Sequence, residues 1–234
     1  MAYMDIYDVM RTTGAVRAFT GDPLPDEVLT RILDNARFAP TGGNRQGVRV
    51  IVVRDQQTRH ALAALSETGA RRYLAQSANG EAPWNPVHPM QISEEQLTAT
   101  EVPDGMSAPL LTAEVVLVVC VDLGVVAALD QNLDRIGVIS GASVYPFVWN
   151  VLLAARNEGF GGVLTTMAIA EEPRIKELLG IPTDLAVAAL VPLGRPQRQV
   201  RKLSRRPVAE FVTAERYDGA PFPAAGPPRE TVDG

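Results

Sequence analysis

Ala39-Pro40-Thr41-Gly42-Gly43-Asn44-Arg45-Gln46 stands between a helical pattern and a strand-like one, and the fold turns on how it is read. Pro40 has no N–H and disfavours helical geometry at Ala39, so a helix running up to it must end. Two glycines then open turn conformations closed to other residues. The run offers main-chain N–H groups, a hydroxyl and an amide on bare backbone that a flat or anionic ligand can approach closely. Taken alone, an ordinary connector built of turn formers explains the same residues.

On the N-terminal side, Pro25-Asp26-Glu27 puts proline and two acids in a first helical turn. Val28, Leu29, Ile32, Leu33 and Ala36 follow as one apolar stripe ending near Phe38. Before that, Met4 to Thr12 has helical spacing and leads into Thr13-Gly14-Ala15-Val16-Arg17-Ala18-Phe19, a loop flanked by Arg11 and holding Arg17. On the C-terminal side, Val48-Arg49-Val50-Ile51-Val52-Val53 is short and β-branched, an interior strand. Asp55 can cap a helix from Gln56 to Gln76.

Periodicity fails from Ser77 to Leu110, where Trp84 and Met90 sit among five prolines, so a long irregular excursion is expected there. Loops of this length are covers over a site or unstructured segments, and the large apolar residues favour a cover. Further strands are expected at Ala113–Asp122, Gly161–Thr166 and Leu185–Leu193, with helices at Val125–Leu133 and Glu172–Leu179. Ile136–Ala155 is uncharged over 20 residues and reads as one buried helix at the centre of the fold or of a subunit interface. Its glycines, serines, Pro146 and Asn150, with no basic cluster at either flank, argue against a membrane span. Strands alternating with helices indicate an α+β layered fold around a central sheet.

The bulk numbers remove several function classes. A net charge of −5, from 22 basic and 27 acidic residues, gives no footprint for nucleic acid or an anionic membrane. Two histidines and one cysteine exclude a His/Cys metal site, and Cys120 lies in an apolar strand where a buried small side chain is expected. No nucleophile elbow, phosphate-binding Gly-rich loop with Lys, or dinucleotide fingerprint is present. The N-terminus has neither a basic region nor an apolar one, so a cytoplasmic protein is expected. Few acid–base groups but several arginine- and hydroxyl-bearing loops suit an enzyme whose cofactor carries the chemistry.

Three features combine: Arg11…Arg17-Ala18-Phe19 followed by Pro25 and a helix; the Ala-Pro-Thr-Gly-Gly-Asn-Arg-Gln loop before a strand; and Arg205-Arg206-Pro207 near the C-terminus. Together they resemble the FMN-dependent nitroreductase family, which reads basic-x-x-(Val/Ile)-Arg-x-Phe, then Pro, then Ala-Pro-Ser-x-x-Asn-x-Gln. Asn150-Val151-Leu152-Leu153-Ala154-Ala155 resembles a further family segment, and the likeness runs from about Asp5 to Val212. It implies a three-layer α/β/α fold with a central mixed, mainly antiparallel sheet and a long central dimer helix. One domain over residues 1–216, a lid-like excursion at 77–110 and an extended tail at 217–234 are expected.

The resemblance also implies a homodimer with tightly bound FMN at the subunit interface. Arg17 would approach the flavin pyrimidine edge, where reduced flavin gathers negative charge, and Arg206 the phosphate, with Arg205 or Arg11 as helpers. Pro40, Thr41, Gly42, Asn44 and Gln46 would meet the FMN bound mainly by the other subunit, while Leu164, Thr165 and Thr166 pass the ring near N5. Thr13, Gly14 and Ala15 complete the expected cofactor edge. Gly14 and Ala15 depart from the Arg or His followed by Ser of many relatives and remove phosphate donors; Gly47-Val48 replaces a common Pro-Trp. The implied activity is ping-pong, NADH- or NADPH-driven two-electron reduction of nitroaromatics, quinones or similar acceptors, with no catalytic side chain and no metal. A reductive dehalogenase or ene-type reductase on the same scaffold, and a non-catalytic FMN store or sensor, remain open alternatives.

Overall fold

The computed structural model describes residues 4–222. In chain order its elements are α1 (Ile6–Thr12), α2 (Asp26–Ala36), β1 (Val48–Val53), α3 (Gln56–Ala78), α4 (Glu94–Ala99), α5 (Ala108–Thr112), β2 (Val115–Asp122), α6 (Tyr145–Asn157), β3 (Gly161–Gly162), α7 (Glu172–Leu179) and β4 (Leu185–Gly194), with short 3-10 turns between several of them. Two compact units are present, one up to Val200 and a second from Arg201.

In the first unit β2 is the central strand. The sheet order is β1-β2-β4-β3 and every ladder among the described residues is antiparallel. Val115 to Val121 are all buried, which an uninterrupted apolar run requires when both sheet faces are covered. Val115, Leu117, Val119 and Val121 pack with α2 and α6 through Leu29, Ile32, Val148 and Val151. Val116, Val118 and Cys120 face α3, α5 and α7 through Leu62, Leu65, Leu110 and Ile175. That is the expected three-layer arrangement. A register shift at Val119/Cys120 acts as a β-bulge in β4, so Ala189, Val191 and Leu193 join one core while Val187 and Leu190 join the other.

β1 and α7 have the expected bounds, and α3 runs two residues beyond Gln76 with Asp55 as its cap, accepting from Thr58 N–H at 2.7 Å. Four expectations are corrected. The 77–110 excursion is not irregular throughout: Ser93 and Gln96 form a capping box that starts α4, and α5 begins at its end. Six residues are too few to reveal a helical period. Val125–Leu133 is a series of turns rather than a helix. There Asp130, 4 % exposed, accepts from Arg135 Nη1 and Val138 N–H, each at 2.7 Å, and folds the chain back on itself. The uncharged 136–155 segment is α-helical only from Tyr145, after a 3-10 turn at Ile139–Ser143, because Pro146 is tolerated in the first turn of α6 and not inside a longer helix. Gly161–Thr166 is a two-residue strand, after which the chain leaves the sheet edge and pairs with β4 again where Thr165 bridges Leu190.

No described helix is long and apolar enough to cross a membrane. Of the expected tail, residues 223–234 lie outside the described residues.

Candidate functional site

The segment after α1 is laid along the glycine-rich edge of the sheet. Val16 N–H donates to Gly162 O at 2.9 Å, Phe19 bridges Pro196, and Gln197 N–H donates to Ala18 O at 3.0 Å. A Cβ on Gly161 would stand 2.7 Å from Val16 Cγ2, one on Gly194 2.8 Å from Phe19 Cδ1, and one on Gly162 2.3 Å from Pro192 O. Hydrogen at Gly161 and Gly194 lets the segment dock, and hydrogen at Gly162 lets β3 lie against β4. Val16 and Phe19 are thereby buried, and Arg17 between them faces outward.

Arg17 lines a cavity of about 380 Å³ with Leu164, Thr165, Thr166 and Met167, bounded by Ser66 and Tyr73 of α3 and by Met106 and Pro109 of the excursion. Thr165 is held rigidly, its N–H and C=O both bonded to Leu190 at 2.9 Å. The Arg17 guanidinium and the Thr166 N–H have no hydrogen-bond or ion-pair partner among the described residues. A second cavity, of about 490 Å³, shares Tyr73, Thr166 and Met167 with the first and is bounded by Gly69, Pro83, Trp84 and Ile169. The excursion therefore walls the space beside the Thr165–Thr166 turn.

The sequence reading missed the contribution of α3. Its signal was available: Ser66, Gly69, Tyr73 and Gln76 share one helix face at spacings of three and four. A Cβ on Gly69 would lie 2.1 Å from Met167 O, so this face touches the turn after Thr166 directly.

The Pro40–Gln46 loop lines neither of these cavities and borders another of about 280 Å³, with Arg37, Arg49 and Phe147. Gly43, Asn44 and Gln46 all have left-handed backbones, with φ of 60°, 54° and 52°. Thr41 Oγ1 accepts from Gln46 N–H at 3.0 Å, and Gly42 N–H donates to Ser143 Oγ at 3.1 Å. The loop is thus a fixed shape rather than a set of open donors; Pro40, Gly42, Asn44 and Gln46 are exposed.

Of the remaining expected cofactor residues, Arg11 and Ala15 are exposed and Gly14 is half-buried. Thr13 is buried, and its hydroxyl donates to Val9 O at 2.7 Å, completing the end of α1. Arg156 of α6 donates from Nε to Thr12 Oγ1 at 3.1 Å, and burial lowers its pKa. Arg205 and Arg206 are exposed residues of the second unit, where Arg205 Nη1 donates to Ser204 O at 2.7 Å.

Residues 10–195 match the family model described as the nitroreductase family. The chain belongs to the nitroreductase family. Among curated relatives, an NADH dehydrogenase of Thermus thermophilus is 29 % identical over 199 residues, covering 85 % of this chain and 90 % of that protein. A nitrobenzene nitroreductase of Ectopseudomonas oleovorans is 24 % identical over 228 residues, covering 89 % and 96 %. Among solved structures, oxidised iodotyrosine deiodinase bound to FMN and 3-iodo-L-tyrosine superposes with a TM-score of 0.63 at 20 % identity, covering 92 % of this chain and 99 % of that one.

Proposed function

We infer that this nitroreductase-family chain is an FMN-dependent oxidoreductase that uses NADH or NADPH to reduce nitroaromatics, quinones or related acceptors, and that it acts as a cytoplasmic homodimer. The observation that carries the reading is the unpaired Arg17 guanidinium beside the Leu164–Thr166 turn in one cavity. That donor set fits FMN: a fixed cation suits the edge of the flavin where reduction builds negative charge, and the unpaired Thr166 N–H suits a ring nitrogen. Bound FMN supplies two-electron chemistry by accepting hydride from the nicotinamide and delivering it to the acceptor.

The chain's own residues bind, orient and shield. Val16 and Phe19 anchor the backbone that carries Arg17, and the two bonds to Leu190 fix Thr165. Tyr73, Trp84 and Met106 exclude water from the space where nicotinamide and acceptor take turns. In one subunit Pro40, Thr41, Gly42, Asn44 and Gln46 stand apart from the Arg17 cavity, which suits a loop that serves the flavin of the second copy. Exposed Leu133, Ile136, Val138, Tyr145 and Trp149 supply apolar surface for that copy to cover. Arg11 supplies a cation toward the phosphate, in place of the donors absent at Gly14 and Ala15.

The test is spectroscopic. Purified protein is expected to be yellow, with its flavin absorbance bleached by NADH or NADPH without oxygen and restored by nitrobenzene. Colourless protein that takes up no added FMN would refute the reading. The likeness to the deiodinase structure favours one second reading, reductive dehalogenation, which iodide release from 3-iodotyrosine by the reduced protein would reveal.

A further inference from the structure

Trp84 lies in the excursion between α3 and α4 with φ of +55°, a left-handed conformation rare for a bulky residue and maintained only when its surroundings over-determine it. Three contacts do so. Its backbone N–H donates to Gln76 Oε1 at 2.9 Å, its indole N–H to Gly69 O at 3.1 Å, and the Arg72 guanidinium lies 4.0 Å from its ring centroid.

Gln76 is the hub of this arrangement and is 2 % exposed. The same Oε1 accepts from Arg72 Nε at 3.1 Å, so one buried oxygen positions both members of the Arg72–Trp84 stack. Its Nε2 donates to Glu81 Oε2 at 2.9 Å, and Glu81 also accepts from Asn79 and from Gln91 N–H. These bonds, those from Gln76 and Asn79 foremost, hold the Glu81 carboxyl below its ordinary pKa. A buried amide with both ends committed to the excursion is a costly way to shape a loop that does nothing. Trp84 as a residue is still 42 % exposed and borders the larger of the two cavities beside Tyr73, Pro83 and Ile169.

We propose that Gln76 is a positioning residue that locks Trp84 as an aromatic wall, and that this wall makes the acceptor pocket select planar aromatic molecules over saturated ones of equal size. The inference rests on the oxidoreductase reading for the word acceptor; the wall itself rests on geometry alone. Two aromatic side chains and an apolar remainder offer a planar ring stacking or edge contacts, which a puckered ring forfeits.

Calorimetric titration of the oxidised protein, FMN added and nicotinamide omitted, with nitrobenzene and with nitrocyclohexane tests this, because neither ligand then reacts. Trp84→Ala is expected to weaken nitrobenzene binding about tenfold, the scale of one lost aromatic pair, and to leave nitrocyclohexane within about twofold. Trp84→Phe should recover most of the loss. Gln76→Glu sets a second carboxylate against Glu81 and should lower the nitrobenzene-to-nitrocyclohexane preference. Adding Glu81→Gln re-forms the pair with the charge exchanged and should restore that preference; in a Trp84→Ala background neither change should move it, whereas a purely structural role for Gln76 would act there as well. Nitrobenzene affinity unchanged in Trp84→Ala, or a preference unmoved in Gln76→Glu, overturns the proposal. Failure of the protein to bind FMN refutes the oxidoreductase reading instead, while the ligand titrations still decide the wall.

Discussion

Val16, Arg17 and Phe19 show how a single residue acquires a role from its neighbours. Val16 and Phe19 turn inward onto Gly161 and Gly194, and Arg17 and Ala18 between them are left exposed on the outer side of the docked segment. Cys120 is the contrary case, a reactive residue type made inert by its position. Burial, followed by the nearby Glu172 carboxylate, pushes its thiol up to about 11 from an ordinary 9.0. Its sign is clear: unfolded chain loses the thiol proton first, so this group's contribution to stability is intact below the unfolded value and lost as pH rises through about 11. Native protein should therefore resist a thiol reagent at pH 8 and react only on unfolding, while the melting temperature falls between pH 9 and 11. Rapid modification of folded protein at pH 8 would contradict this.

At the scale of elements, the glycine edge decides whether the site forms. Gly162→Ala forces a Cβ against a backbone carbonyl that cannot swing aside, and it should cost about 1–3 kcal/mol or more in denaturant unfolding. Gly42→Ala meets only Ser143 Oγ at 3.6 Å and Ala127 Cβ at 3.8 Å, without positive φ, and should change stability by less than about 0.5 kcal/mol. A loss of FMN affinity in Gly42→Ala would then report close backbone approach by the cofactor; retention would return the loop to a connector.

These elements also show what the sequence made legible. β1 and α7 could be read from apolar pattern and punctuation because packing agrees with local preference there. Arg17 and Thr165 could be singled out by motif, yet their meeting in one cavity depends on the Thr165–Leu190 bridge across the chain. Val125–Leu133 misled because its apolar residues satisfy a helical pattern while the Asp130 carboxylate draws the chain into turns. The α3 face was hidden for a simpler reason: small and polar residues on a long helix look like solvent contact until a partner is known.

For the whole molecule, the half-exposed Tyr145 and Trp149 on α6 and the exposed apolar side chains before it are surface that a second copy could cover. Light scattering at micromolar concentration should give the mass of two chains. Tyr145→Asp with Trp149→Asp should shift it toward one, because charges in a desolvated interface are strongly unfavourable. A monomeric wild-type protein would remove the reason for assigning the Pro40–Gln46 loop to a second subunit.

The central place of β2 also governs how the protein comes into being. Its two partners lie far away in sequence, β1 at Val48–Val53 and β4 at Leu185–Gly194, so the sheet cannot close around it until β4 is available. Until then Val115 to Val121 is a seven-residue, uncharged, valine-rich run with one edge unpaired, the composition that adds most readily to like strands of other chains. The strand that holds the finished molecule together is thus its most exposed hazard during synthesis, and slowing translation before residue 185 should increase aggregation more than slowing it after residue 194.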